Sequence, residues 1–351
     1  MTKIESFPEP EPAAGLKVYK AIREARLASD KRCADNYAKY LHFKEHGGIV
    51  DFLPVKLDIE NVSRCNFRCI MCTVSDWPHM KRANDMSLDN FKRLIDEQYG
   101  IVEIKLQGIG EPMMQGDDYF AMIRYAREHG IWVRTTTNAS LLHLHDNYKK
   151  LIEAGPNEVQ ISVDAADIRT FQRIRRGSNF RRVISNIQLL HDNSEARRVT
   201  KMWTVVQKAN VYQLTELVHL ASDLGFTNQV FSLDVMNWGL FDRGLSAVPL
   251  CPEELIELGW NLGHKVWFWG MKEKYSSNHP CHWPYERSCI TSDMRAAPCC
   301  VIGNPDVMEL GNGIKEGFTD VWFGEDYLKF RKDHTEGNIP KACQDCYKGQ
   351  N

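Results

Sequence analysis

The chain has 351 residues, 43% hydrophobic and 26% charged, an ordinary globular balance that can bury a large core. Lys and Arg total 44 against 46 Asp and Glu, a formal charge of −2 that gives no reason to expect a nucleic-acid partner or an anionic membrane surface. No run of about eighteen apolar residues exists for a membrane span, and the acidic, proline-rich opening MTKIESFPEPEPAAG lacks the apolar run of a signal peptide, so the sequence predicts a cytoplasmic protein.

Residues 1–13 read as a flexible arm, and the weakly amphipathic stretch from Gly15 to about Glu45 as one or two helices, giving an N-terminal extension over 1–50. After Gly47 and Gly48 a repeating alternation begins. Strand patterns at 55–61, 103–107, 132–138, 158–164, 201–207 and 229–234 are interleaved with helical spacing, for example at Ser87–Gln98 and Asp118–Glu128. Six βα units in series imply a parallel sheet with helices outside. The expected fold class is α/β, a partial (β/α)6 TIM-like barrel over 51–245, open on one side. Residues 246–275 read as a connecting helical segment. Residues 276–351 are rich in Cys, Gly and Pro and read as a small domain held together by metal instead of an apolar core.

Eleven cysteines need a reason. Any single one reads most simply as a buried thiol, but apart from Cys33 and Cys251 they fall into two groups, Cys65 to Cys72 and Cys281 to Cys346. Grouped cysteines in a reducing compartment point to metal or redox chemistry. Cys65-x3-Cys69-x2-Cys72 lies on one loop after the first strand, where three thiolates can hold three irons of a [4Fe–4S] cube and leave the fourth open. Structural zinc is the simpler alternative, but zinc takes four ligands and does not favour this spacing.

Here the sequence resembles the radical S-adenosylmethionine (SAM) superfamily over about residues 55–240, with Met71 where an aromatic is common. The resemblance implies that Cys65, Cys69 and Cys72 hold the cluster and that Met71 packs on the adenine. Gly108-Ile-Gly110-Glu111-Pro112 ends the second strand like the family's Gly-Gly-Glu-Pro element, and implies a site for the amino group of SAM. Gly110 would let backbone approach a ligand, and a carboxylate suits an ammonium. Ser162 and Asp164 end the fourth strand, and Ser162 with Arg175 or Arg176 is implied to take the carboxylate of methionine. Asn138 with Thr136, and Gln207 with Asn210, end strands three and five on the same rim, where they would meet ribose or substrate or serve only as turn residues. SAM chelating the open iron would be cleaved by one electron to a 5′-deoxyadenosyl radical, which abstracts hydrogen from an unactivated C–H bond. An external electron donor of flavodoxin or ferredoxin type is implied.

The tail resembles the auxiliary-cluster extension called SPASM, or its shorter one-cluster form, Twitch. Cys281, Cys299 and the knuckle Cys343-Gln-Asp-Cys346 reproduce the family pattern and would complete a second [4Fe–4S] cluster, leaving Cys289 and Cys300 as buried thiols. Structural zinc on four cysteines is again the alternative. An auxiliary cluster with four protein ligands carries electrons, so the leading expectation is oxidation of a C–H bearing a hydroxyl on a small polar substrate, of sugar or aminocyclitol type. Epimerisation is the second reading, with Cys251 in Pro249-Leu-Cys251-Pro252 as hydrogen donor. Ribosomal-peptide modification is the third, and a non-catalytic iron–sulfur carrier a fourth that the Gly-Glu-Pro element argues against. Trp238, Trp260, Trp267 and Trp269 either line a pocket or, as aromatics at helical spacing more often do, fill the core.

Overall fold

A computed structural model describes residues 9–240, 242–270, 275, 276 and 279–347. Two helices, Leu16–Ser29 and Lys31–His46, open it, the second started by Asp30, whose side chain accepts from the backbone of Arg32 and Cys33. Six strands then recur where the alternation predicts them: β1 (Lys56–Ile59), β3 (Glu103–Leu106), β4 (Trp132–Thr137), β5 (Glu158–Ser162), β7 (Thr200–Val205) and β8 (Asn228–Ser232). A two-stranded ribbon, β2 (Arg68–Cys69) with β6 (Arg175–Arg176), lies outside that sheet. Helices alternate with the strands, and every neighbouring pair in the series β1-β3-β4-β5-β7-β8 is parallel, as right-handed crossover units require. The architecture is a partial TIM-like barrel.

The sheet runs further than six strands. Residues 265–269 form β9, parallel to β8, so the connection is not helical throughout; helix Pro252–Asn261 is followed by a barrel strand. Trp267 and Trp269 therefore alternate on a strand and do not sit at helical spacing, and the Trp203 and Trp269 rings meet edge-on at 5.6 Å. At the other edge the C-terminal domain contributes β10 (Arg287–Ile290), parallel to β1, with β11 (Ala296–Ala297) folded back beside it. Among the described residues the nine-stranded sheet ends on β11 and β9.

Leu57, Ile59, Ile104, Leu106 and Val133 face the helices, while the alternate positions carry charge into the barrel. At its N-terminal end Lys56 meets Glu103 at 3.4 Å, Arg134 meets Glu103 at 2.9 Å and Glu158 at 3.4 Å, and Lys201 meets Glu158 at 3.1 Å. The segment predicted as a flexible arm closes this floor. Arg287 holds Glu9 at 2.8 Å, Lys201 Nζ donates to the Glu11 carbonyl and Ala13 N to Glu158, so residues 9–13 are docked, while 1–8 lie outside the described residues. Burial alone would raise the Glu9 carboxyl, but Arg287, Lys56 and Arg134 hold it well below the usual range. With the bottom sealed by ion pairs, the strands' C-terminal ends remain for chemistry.

Candidate radical and auxiliary cluster sites

Cys65, Cys69 and Cys72 sit on the loop after β1; Cys65 feels the charge of both others, and Cys72 that of Cys69. Cys69 is pinned because β2 pairs with β6 and Ile70 N donates to the Ile174 carbonyl at 2.9 Å. Burial raises all three thiols, Cys72 to about 12. As thiolates they need a compensating cation, which iron supplies.

The Gly108–Pro112 turn lies directly against this loop. A Cβ on Gly110 would stand 2.4 Å from the Val62 carbonyl and 2.5 Å from that of Arg64, and one on Gly108 would stand 2.2 Å from Cγ of Glu60. The missing side chain of Gly110 makes room for the chain leading into Cys65. Pro112 accepts a hydrogen bond from Asn61 Nδ2 through its carbonyl. Glu111 is buried, and its carboxylate accepts from Thr137 Oγ1 at 2.7 Å and Asn138 N at 2.8 Å. Burial still lifts its pKa to about 7 against those bonds. The Met113 backbone N–H also faces this carboxylate, which as an acceptor of up to four hydrogen bonds keeps capacity for an ammonium. Asn138 Nδ2 points at Cys65 Sγ, 4.0 Å away, and donates to Asn66 Oδ1.

The structure distinguishes the two arginines left open. Arg175 is buried, its Nη2 2.8 Å from Asp164 Oδ2 and its Nη1 4.0 Å from Cys69 Sγ, whereas Arg176 is exposed. The contact with Asp164 is an ion pair and not an aligned hydrogen bond, and Arg175 Nε is buried without a partner. Asp164 Oδ1 accepts from Val205 N, fixing the pair to β7. Ser162 lies half-buried beside it at the end of β5. Gln207 Nε2 approaches Met71 Sδ at 4.0 Å and its Oε1 is buried without a donor, an arrangement open to an amine or hydroxyl. Thr136 bonds Gln160, and Asn210 braces the carbonyls of Asp164 and Val205, so both serve the scaffold.

In the C-terminal domain Cys281, Cys299, Cys343 and Cys346 are mutual electrostatic neighbours. Cys289 is buried and feels Asp58 and Cys300, whereas Cys300 is only half-buried and is also the first electrostatic neighbour of Cys299, so it borders that set. Gly311, at φ 130°, lets its loop close on Val321, and Met294 takes φ 63° in the turn before Cys299. Among the described residues no three His, Cys, Asp or Glu side chains converge on one metal ion.

Sequence reasoning missed the link between the two sites. Glu60, buried at the end of β1, accepts from Arg82 Nη2 at 2.7 Å, Ile109 N at 3.4 Å and Ser292 N at 3.1 Å, and Arg82 also holds Asp293 at 3.0 Å. One carboxylate thus joins the Gly-Glu-Pro turn to the auxiliary domain. The polar phase of the β1 alternation was its only signal. Trp238, at φ 60°, donates to the Met71 carbonyl at 2.9 Å and so covers the first cysteine loop, while Trp260 is exposed and belongs to neither pocket nor core. Cys251 is exposed just before helix Pro252–Asn261, with Glu254 and Glu253 raising its thiol, so the enclosure expected of a hydrogen donor is missing there, as is the burial of the simpler reading.

The Radical SAM superfamily profile matches residues 61–228, and the profile of an iron–sulfur cluster-binding domain, SPASM, matches residues 281–347. The chain belongs to the radical SAM superfamily. It carries the SPASM iron–sulfur domain at its C-terminal end, and its cofactors are SAM and [4Fe–4S] clusters. Among similar proteins is the tungsten-containing aldehyde ferredoxin oxidoreductase cofactor-modifying protein of Pyrococcus furiosus, 25% identical over 83% of this chain and 86% of that one. A GTP 3′,8-cyclase of Marinobacter nauticus is 28% identical, but the match spans only 55% of this chain and 57% of the cyclase. Among solved structures, Streptococcus suis SuiB bound to precursor peptide SuiA superposes with a TM-score of 0.65 at 16% identity, over 84% of this chain and 70% of that one, which speaks for the fold. No described helix is long and apolar enough to cross a membrane.

Proposed function

We propose that this radical SAM enzyme oxidises a small polar substrate at a C–H bond bearing a hydroxyl, with Cys65, Cys69 and Cys72 holding the radical cluster and Cys281, Cys299, Cys343 and Cys346 the auxiliary one. The cofactors supply the 5′-deoxyadenosyl radical and a sink for one electron. What supports the reading is the auxiliary set itself: four thiols that could supply every ligand of one cluster, on a domain joined to the barrel by the β10–β1 pairing. Gly303 packs on Ile109 of the Gly-Glu-Pro turn, and Gly239 packs on Ile302, Val307 and Ala342. Four protein ligands leave no place for SAM, so electron transfer is the chemistry left to that site.

The protein's own residues bind, orient and exclude water. Arg175, with Nε unpartnered, and Ser162 would hold the carboxylate of methionine, and Glu111 its ammonium. Met71, whose carbonyl accepts from Trp238, would meet the adenine, and Gln207 Oε1 could take an amine or hydroxyl. Asn138 donates toward Cys65, which steadies a thiolate. Oxidation of such a C–H to a carbonyl would take one hydrogen atom to the 5′-deoxyadenosyl radical, one proton to solvent and one electron to the auxiliary cluster, which would be reduced by one. The cofactor-modifying relative from Pyrococcus is compatible with a small-molecule substrate. The peptide-modifying reading has no residue-level feature in its favour. The epimerase reading loses its donor with Cys251 exposed.

Turnover in deuterated water tests this. The product should be two mass units lighter than substrate, with one 5′-deoxyadenosine formed per product and no deuterium at the reacting carbon. An unchanged skeleton carrying one deuterium would establish epimerisation instead.

A further inference from the structure

The ribbon of β2 and β6 carries Cys69, and its two faces differ. In an antiparallel pair, residues directly opposite share a face. Cys69 faces Arg175, both buried, and Arg68 faces Arg176, both exposed. Like charges opposite each other destabilise a ribbon, so folding gives no reason for Arg68 and Arg176 to be side by side.

The surroundings add to the charge. From Ile168 to Arg182 the chain carries Arg169, Arg173, Arg175, Arg176, Arg181 and Arg182 and no Asp or Glu. All but Arg175 are exposed. Arg181 and Arg182 lie in the first turn of helix Phe180–His191, where the helix dipole is already positive and a carboxylate is the stabilising choice. Among the described residues none of these exposed arginines meets a carboxylate. Arg68 donates to Met80 Sδ, Arg173 to the Ala209 carbonyl and Tyr212, and Arg182 to His143. Several exposed cations elsewhere are paired, as in Lys31–Asp35, Lys39–Asp51, Lys149–Asp146 and Lys329–Asp333. For a chain with a net charge of −2 this is a local positive field, one residue removed from Cys69.

We infer that the outer face of this ribbon, Arg68 and Arg176 flanked by Arg169, Arg173 and Arg181, is the docking surface for an acidic one-electron carrier protein of flavodoxin type. The inference rests on the radical reading, which requires a one-electron reductant. The carrier is oxidised by one electron, the radical [4Fe–4S] cluster is reduced by one, and no proton or bond is exchanged. Charge complementarity names the occupant: such carriers are acidic proteins, and opposite potentials speed encounter and set orientation.

The test compares the reconstituted enzyme with Arg68→Glu/Arg176→Glu and with the milder Arg68→Gln/Arg176→Gln. Binding of oxidised flavodoxin is measured by calorimetry at low and high salt, and 5′-deoxyadenosine formation is measured with reduced flavodoxin and with dithionite. Reversal should weaken flavodoxin binding about tenfold or more at ~50 mM salt and little at ~0.5 M, where charges are screened, with the Gln pair in between. Dithionite-driven formation and iron content should stay unchanged, which keeps the radical reading separate from the docking claim. Unchanged flavodoxin affinity and salt dependence in both variants would overturn the inference, as would an equal loss with dithionite. Absence of 5′-deoxyadenosine with dithionite in the unmutated enzyme would instead sink the radical reading.

Discussion

Replacing Arg175 by Met separates its two roles. Its guanidinium is buried 2.8 Å from Asp164, whose carboxylate is wholly buried and keeps only the backbone N–H of Val205 once the arginine is gone. Breaking a buried pair from one side costs about 3–5 kcal/mol, and at roughly 2 °C per kcal/mol for a chain of this size the melting point should fall by about 6–10 °C. Part of that is recovered if Asp164 takes up a proton, which burial already favours by raising its pKa against the pull of Arg175. The double variant Arg175→Met/Asp164→Asn should therefore regain most of the stability, because replacing both charges removes the stranded carboxylate. It should not regain SAM affinity. A lost charge-assisted hydrogen bond to the methionine carboxylate is worth about 1.5–3 kcal/mol, or about ten- to a hundredfold in Kd. Thermal melts and equilibrium dialysis of anaerobically reconstituted protein read the two effects, with iron content as the control because Arg175 also approaches Cys69. Arg176→Met, exposed, should leave SAM affinity unchanged. Unaltered SAM affinity in Arg175→Met at full iron content, or an equal loss in Arg176→Met, would refute the assignment.

Because burial lifts Glu111 to about 7, SAM affinity should fall as pH drops below about 7, at most tenfold per unit, and Glu111→Gln should flatten the profile. Without SAM the sign reverses: the raised pKa gives a contribution to stability that is full below the unfolded value and fades as pH rises through about 7, visible as a melting difference between wild type and Glu111→Gln. Gly110→Ala should cost about 1–3 kcal/mol by overpacking and reduce iron retained at the first site, since its Cβ would collide with the carbonyls of Val62 and Arg64; full iron content would show that the turn can yield. Cys251→Ser should leave product formation unchanged, given its exposure, and a loss of turnover with 5′-deoxyadenosine still formed would restore it as donor.

The six βα units were legible because their strands alternate between helix-facing aliphatics and lumen-facing polar residues, a period-2 signal that survives in a single sequence. β9 hid because, after Lys265, Val266-Trp-Phe-Trp269 is an unbroken apolar run on an edge strand after a helix, with no polar alternation to mark it. β10 hid for another reason: it has four residues in a cysteine-rich tail, and its partner β1 is remote in sequence. The thiols were legible by spacing. Their supporting contacts were not, because the Glu60–Arg82–Asp293 bridge and the choice of Arg175 over Arg176 depend on which face of a short strand turns inward. The docked N-terminal segment escaped because acidic, proline-rich composition reads as disorder, and only the cationic lumen of the folded barrel gives Glu9 and Glu11 partners.

Electron paramagnetic resonance of the reduced, reconstituted enzyme, with and without SAM, tests most directly that one chain holds two distinct clusters. Wild type should contain about eight irons and show two [4Fe–4S] signals, only one of which changes when SAM is added. Cys65→Ala/Cys69→Ala/Cys72→Ala should retain about four irons and the single signal that SAM does not alter. Stoichiometric zinc in the C-terminal domain, or a SAM-responsive signal surviving in the triple variant, would contradict the account.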